Sequence, residues 1–328
     1  MSNACNLISI AAYVPEKILT NSDIASFVDT NEQWIIERTG INCRRQLSET
    51  QNTSDLGFLA AQLVLNNENF EAKNLTHIIV ATCTPDCLAP STACIIGGKL
   101  DTGPIMAFDL GAACAGFIYG LYICKSIVGL EPKSQILFIC AEAMTRRLNW
   151  HDRSTCVLFG DAASACIING LGEKSLCSIV DVICQSDGKQ KDLITVGGGT
   201  TCQYDIDTPV DENCFLSMQG RETYKFAVRN MVAVCNDLLV RNNLEITDVD
   251  MFIPHQANIR IIEAVGIRLG IPQNKVFINL MNYGNTSAAS IPLAISEAWN
   301  CGKIKKGSRV LVAAFGAGLT WGAALLNF

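Results

Sequence analysis

Cys114 is the residue in this chain best placed to act as a nucleophile. It follows FDLGAA and precedes AGFIYGLYICKSIV, so a strand ends just before it and an apolar helix begins with it. A thiol in the first turn of a helix sits at the positive end of the dipole, which predicts a lowered pKa. Gly111, Ala112, Ala113, Ala115 and Gly116 are all small and leave the sulfur approachable. Ordinary core packing competes with this reading, as it does for any cysteine in an apolar run. His255, in IPHQANIRI, ends a buried strand, where a satisfied core histidine is the competing reading. Asn285 lies in the turn YGNTSAASIP.

The elements that must position these residues come from a duplication. THIIVAT (76–82) is answered by DMFIPHQ (250–256), with Val80 and Pro254 174 residues apart. PIMAFDLGAACAGFIYGL (104–121) is answered by VFINLMNYGNTSAASIPLAI (276–295), with Gly111 and Gly284 173 apart, which sets Ser287 opposite Cys114. QILFICAEA (135–143) is answered by SRVLVAAFGAG (308–318), with Ile136 and Val310 174 apart. Each unit reads strand, loop, helix, strand, turn, helix, strand. The strands are continuous apolar runs, as in sheets covered on both faces. The expected fold is α/β: two duplicated halves, 1–175 with the cysteine and 176–328 with the histidine and asparagine. In a pseudo-twofold arrangement the Cys114 and Asn285 turns lead to one central region. Segment 187–213, rich in Gly, Asp and Thr, reads as a long inserted loop.

Composition bounds the function. Hydrophobic residues make up 49% and charged residues 17%, which fits a large buried core and argues against disorder. A net charge of −6 with no basic run argues against nucleic-acid binding. No apolar run reaches the ~18–20 residues of a membrane span, and the start has the form of neither a secretion signal nor a transit peptide. A cytoplasmic protein is expected. The sixteen cysteines include no CxxC. Cys94, Cys124, Cys140, Cys166 and Cys235 stand in apolar runs and read as small buried hydrophobes. The three histidines are scattered, so no metal site is expected.

GAACAGF, PHQANIR and GNTSAASIP resemble the three active-site motifs of the β-ketoacyl-acyl-carrier-protein synthase III family, within the thiolase superfamily. The resemblance runs over almost the whole chain and includes NEQWIIERTGI (31–41), DRSTCVLFGDAA (152–163), FLSMQGRETYKFAV (215–228) and the ending AFGAGLTWGAALLNF. It implies a thiolase-like fold with αβαβα layers and a homodimer. It implies that Cys114 is acylated by acetyl-CoA, that His255 and Asn285 stabilise the enolate formed when malonyl-acyl-carrier-protein loses CO2, and that no metal or redox cofactor takes part. The backbone amides of Cys114 and Ala317 would form the oxyanion hole, Ala317 standing where the family usually has glycine. Trp34, Arg38, Arg153 and Asn258 are implied as CoA contacts. Gln256, Ala257, Asn258, Ile259 and Arg260, with Lys225 and Arg268, are implied as carrier-protein contacts. The loop 82–92 is implied to cap the acyl pocket with Leu88 and Ala89, partly across the dimer interface.

Three other readings stay open on the sequence. One is a related acyltransferase with a branched or longer primer. Another is a non-catalytic paralogue, against which the intact Cys114, His255 and Asn285 argue. The last is a cysteine hydrolase, which lacks an aspartate to orient the histidine in these motifs.

Overall fold

The computed structural model describes residues 5–171, 175–200 and 214–328. The first half runs β1 (Asn6–Tyr13), β2 (Lys17–Thr20), α1 (Asn21–Ala25), α2 (Glu32–Thr39), β3 (Cys43–Gln46), α3 (Thr53–Asn67), β4 (His77–Ala81), α4 (Thr92–Leu100), β5 (Met106–Leu110), α5 (Gly116–Leu130), β6 (Gln135–Ala143), α6 (Arg153–Cys156) and β7 (Asp161–Asn169). The second runs β8 (Cys177–Ser186), β9 (Ile194–Val196), β10 (Leu216–Met218), α7 (Gly220–Arg241), β11 (Met251–Pro254), α8 (Ile259–Leu269), α9 (Leu280–Tyr283), α10 (Ser290–Asn300), β12 (Arg309–Gly316) and β13 (Thr320–Asn327).

Nine strands form one mixed sheet in the order β11-β12-β13-β8-β1-β7-β6-β4-β5. Its halves meet at β1 and β8, which share only the pairs Asn6–Ser178 and Leu7–Cys177. Successive strand residues point to opposite faces, and both faces are covered. On β6, Phe138 and Cys140 join a central core with α5 and α10, while Leu137 and Ile139 join an outer core with α3 and α4. On β12, Val310 and Val312 face the same central core, while Leu311 and Ala313 face α7 and α8. The layers are therefore α3/α4, half-sheet, α5/α10, half-sheet, α7/α8. Such double covering explains why the strands lack polar alternation.

The duplication is visible in register. His77 pairs with Ile136 and Met251 with Val310, both partners standing 174 residues further on. The short turns Ala113–Ala115 and Ser287–Ala289 and the helix starts Gly116 and Ser290 keep that offset. Ala113 and Ser287 both adopt left-handed backbone, at φ 44° and 50°. Ser287 thus answers Ala113, and the expectation that it lies opposite Cys114 is corrected by one residue. The turn glycines are not equivalent: Gly284 is left-handed at φ 66° and Gly111 is not.

Three further expectations change. Segment 187–213 is not loop throughout: Gly188–Leu193 is 3-10 helical and β9 pairs with β10, while 201–213 lie outside the described residues. One helical stretch, Ala113–Leu130, is long and apolar enough to cross a membrane, but it is the central α5 segment, with 44% of it buried in the fold. Cys124, Cys140, Cys166 and Cys235 are buried as expected, whereas Cys94 is exposed.

Candidate active site

One cavity of about 690 Å³ is lined by Cys114, His255 and Asn285 together, with Trp34, Arg38, Arg153, Asn258 and Arg260 also on its walls. Cys114 sits in the turn before α5, half-buried. The end of β12 closes against it: a Cβ on Gly316 would lie 2.7 Å from the Cys114 amide nitrogen, so only glycine permits this approach. Burial pushes the thiol up to about 12, the Ser287 hydroxyl pulls it down and the charge of Glu142 pushes it up further. The helix end therefore does not by itself produce the lowered pKa that the sequence predicted, because desolvation of the anion outweighs it.

His255 follows β11 and continues its parallel ladder, its N–H bonding to Ala313 O at 2.8 Å. It is buried, and burial drives its pKa down to about 3, so the imidazole is neutral. Its Nδ1 is 2.7 Å from Ser290 Oγ, and the Gln256 N–H donates to that same Oγ at 3.3 Å. With the Gln256 N–H as its donor, Ser290 has its own proton free for Nδ1. When Ser290 uses that proton on Nδ1, the His255 proton stands on Nε2, as a hydrogen-bond donor.

Asn285 is fixed by its backbone. Its N–H donates to Leu158 O at 2.8 Å, and its carbonyl accepts from Gly160 N at 3.1 Å. Its Oδ1 accepts the Ser287 N–H at 2.9 Å, which leaves the amide NH2 free to donate. Two neutral N–H donors and a thiol therefore line one cavity.

Ala317 lines the cavity after the close approach of Gly316. It is not among the residues with positive φ, so alanine is accommodated here without backbone strain. Thr320 Oγ1–H has Ala112 O at 3.0 Å and Ala317 O at 2.9 Å and shares its one proton between them, tying together the two segments that carry the Cys114 and Ala317 amides.

At the mouth, the Arg153 guanidinium lies 4.8 Å from the Trp34 ring centroid. The pair is stacked on itself. Asn258 caps α8, accepting from Arg260 N at 2.9 Å, and donates to Arg38 O at 3.1 Å. Arg260 is exposed.

Several expected contacts are placed elsewhere. Gln256 is buried, with its side chain bonded to Pro254 O, Phe277 O and Asn279 N, so it supports the site and is closed to a docking protein. Ala257 lines the cavity, and Ile259 packs on Gly40, where an added Cβ would sit 2.7 Å from it. Lys225 is exposed but paired with Glu222 at 2.7 Å. Arg268 is exposed near the far end of α8 and does not line the cavity. Leu88 and Ala89 do not line it either, and Leu88 is 83% exposed. Their loop is held to its own surroundings, with Asp86 accepting Ser54 N and Asp109 accepting Thr92 N and Ala93 N. Within one chain the inner wall is made instead by Cys83, Met144 and Val157 to Phe159, with Ile194, Val196, Leu216 and Met218 from β9 and β10.

Sequence reading missed Glu142 and Ser290, and noted Ser287 only as the repeat counterpart of Cys114. Glu142 was visible as the charge in the apolar run QILFICAEA, and Ser290 as the polar residue 174 after Gly116. Among the described residues, no cluster of His, Cys, Asp and Glu is arranged to hold a metal ion.

The five layers and the duplicated turns define a thiolase-like condensing enzyme. The 3-oxoacyl-[acyl-carrier-protein] synthase III family matches residues 108–188, and the C-terminal region of the same family matches 239–328. The chain is 52% identical over 325 residues to the β-ketoacyl-[acyl-carrier-protein] synthase III of Nitratidesulfovibrio vulgaris strain Miyazaki F, covering 99% of this chain and 98% of that one. Crystal structures of the synthase III from Aquifex aeolicus (40% identity, TM-score 0.90, 99% and 100% coverage) and from Thermus thermophilus (38%, 0.91, 98% and 99%) share the fold. The chain belongs to the β-ketoacyl-[acyl-carrier-protein] synthase III family, the condensing acyltransferases that initiate fatty acid synthesis.

Proposed function

We propose that this chain condenses acetyl-CoA with malonyl-acyl-carrier-protein, giving acetoacetyl-acyl-carrier-protein, CoA and CO2. The observation that carries the reading is the convergence of Cys114, His255 and Asn285 on one cavity. Cys114 attacks the acetyl thioester, and the amides of Cys114 and Ala317 hold the tetrahedral oxyanion. CoA leaves, and malonyl-acyl-carrier-protein enters. His255 Nε2–H and Asn285 Nδ2–H bond its thioester oxygen. As CO2 departs, charge collects on that oxygen, where each donor contributes ~3–4 kcal/mol in comparable sites. The carbanion then attacks acetyl-Cys114. The reading requires no metal or redox cofactor. Supplying acetyl-CoA, malonyl-CoA and carrier protein together and analysing the product tests this, with acetoacetyl-acyl-carrier-protein as the expected product. Free acetate alone would mean a hydrolase.

Trp34, Arg38 and Arg153 receive the nucleotide end of CoA, whose anionic phosphates suit two arginines at the mouth. Asn258 lines the pantetheine path. Arg260 meets the acidic carrier protein, with Lys225 and Arg268 further out. The chain works in the cytoplasm as a homodimer whose halves divide near residue 175. In that dimer the exposed Leu88 and Ala89 reach the acyl pocket of the second copy, which fits their absence from the cavity of their own chain.

A further inference from the structure

We propose that Glu142, acting through the hydroxyl of Ser287, takes the proton from Cys114 and returns it at the end of the cycle. The inference rests on Cys114 being the nucleophile and adds the route by which it is deprotonated. Glu142, near the end of β6, has no exposed surface. Its Oε2 accepts the Cys83 N–H at 3.0 Å, Thr84 Oγ1 at 2.9 Å and Thr82 Oγ1 at 3.2 Å, and its Oε1 accepts Ser287 Oγ at 2.9 Å. Among the described residues no lysine or arginine forms an ion pair with it. A buried carboxylate without a counter-ion is costly.

The hydroxyl of Ser287 joins it to the reacting sulfur. Ser287 is held in left-handed backbone at φ 50°, with its N–H on Asn285 Oδ1; its hydroxyl donates to the carboxylate, lies 3.8 Å from Cys83 Sγ, and lines the same cavity as Cys114, whose ionised form it favours. The titratable groups lining the cavity with the sulfur are Cys83, Tyr224 and His255, with Arg38, Arg153, Arg221 and Arg260, while Glu142 lies behind this lining and its charge acts on the sulfur. His255 is not the acceptor, since burial disfavours its cationic form and Ser290 Oγ occupies its Nδ1.

The transfer conserves charge inside the site. The thiol proton passes to Ser287 Oγ while the Ser287 proton passes to Glu142 Oε1, so one buried anion is exchanged for another and no second one is created. The thiolate attacks the acyl thioester, the C–S bond to CoA breaks, and the CoA thiolate leaves and takes a proton from solvent. Glu142 stays protonated while Cys114 is acylated. When the carbanion displaces Cys114 as thiolate, the proton returns through Ser287. One proton is consumed per turnover, matching the carboxylate lost as CO2.

Quenched-flow measurement of the acetyl burst on Cys114 between pH 6 and 10 tests this, with the adduct located by mass spectrometry. For Ser287→Ala the burst at pH 7 is expected to slow ~100-fold, within the range for a lost general base. The deficit should shrink as rising pH ionises the thiol directly. Condensation measured on enzyme already acylated should stay within a few-fold of the parent. Glu142→Gln should behave alike, with Glu142→Asp restoring part of the rate. Ser287→Ala keeps the backbone N–H to Asn285 and the other four donors to Glu142, the Cys83 thiol at 3.4 Å among them, so it carries the test even if Glu142→Gln folds poorly. A deficit constant with pH, equal loss in both half-reactions, or no deficit in Ser287→Ala would overturn the relay while leaving the nucleophile assignment standing. An adduct on another cysteine in the parent would overturn that assignment, and the relay with it.

Discussion

Ser290 illustrates how much of the chemistry rests on residues that never meet substrate. Its hydroxyl lies 2.7 Å from His255 Nδ1 and so orients the ring for the Nε2–H role proposed above. Ser290→Ala is expected to slow the decarboxylative half-reaction about tenfold, as for loss of a ~1.4 kcal/mol hydrogen bond, with acetylation of Cys114 unchanged. Equal slowing of both steps would mean a packing defect instead. His255 also sets an acid limit on stability. Its pKa is about 3 in the fold and ~6.5 in the unfolded chain. Between those values the unfolded chain binds a proton that the native state refuses, so this contribution is present above pH 6.5 and is lost as pH falls towards 3. The Tm of His255→Gln should fall less steeply than that of the parent between pH 6.5 and 4, and parallel curves would contradict this.

Elements expose the same logic through glycines. On α5 a Cβ at Gly120 would lie 1.9 Å from Phe138 Cζ, while at Gly98 on α4 nothing lies within 4 Å. Gly120→Ala should destabilise by ~3 kcal/mol through overpacking, and Gly98→Ala should stabilise by ~0.5–1 kcal/mol through helix propensity. Urea denaturation of the two variants checks both signs. Much of this architecture was legible in the chain, because the apolar runs around Val80, Ile136, Pro254 and Val310 keep the 174-residue spacing that the strand registers follow. The motifs around Cys114, His255 and Asn285 were legible for the same reason. The one-residue misplacement of Ser287 arose because Gly111 and Gly284 look alike in sequence and were matched at 173, whereas the offset of 174 sets Gly284 opposite Leu110. Gln256 was misread as surface because a glutamine in a polar-looking motif gives no hint that three backbone groups bury it. Leu88 could not be read at all, since its position depends on what lies opposite an exposed loop.

At the scale of the whole molecule, a net charge of −6 opposes approach of an acidic carrier, so binding must rely on local cations at the cavity mouth. Arg260→Glu is expected to raise the KM for malonyl-acyl-carrier-protein about tenfold at low salt, with the effect shrinking as ionic strength rises and acetyl-CoA kinetics nearly unchanged. Equal loss for both substrates would place Arg260 on the pantetheine path instead. Leu88→Asp should weaken self-association in sedimentation experiments if the exposed loop meets a second copy, and an unchanged sedimentation coefficient would separate that loop from the dimer. The most direct test of the central claim is mass spectrometry of the protein after incubation with acetyl-CoA alone, then after addition of malonyl-acyl-carrier-protein. The expected result is one acetyl group on the Cys114 peptide, which disappears on the second addition as acetoacetyl-acyl-carrier-protein forms. An adduct on Cys83 or any other cysteine, or a Cys114 adduct that survives malonyl-acyl-carrier-protein, would contradict it.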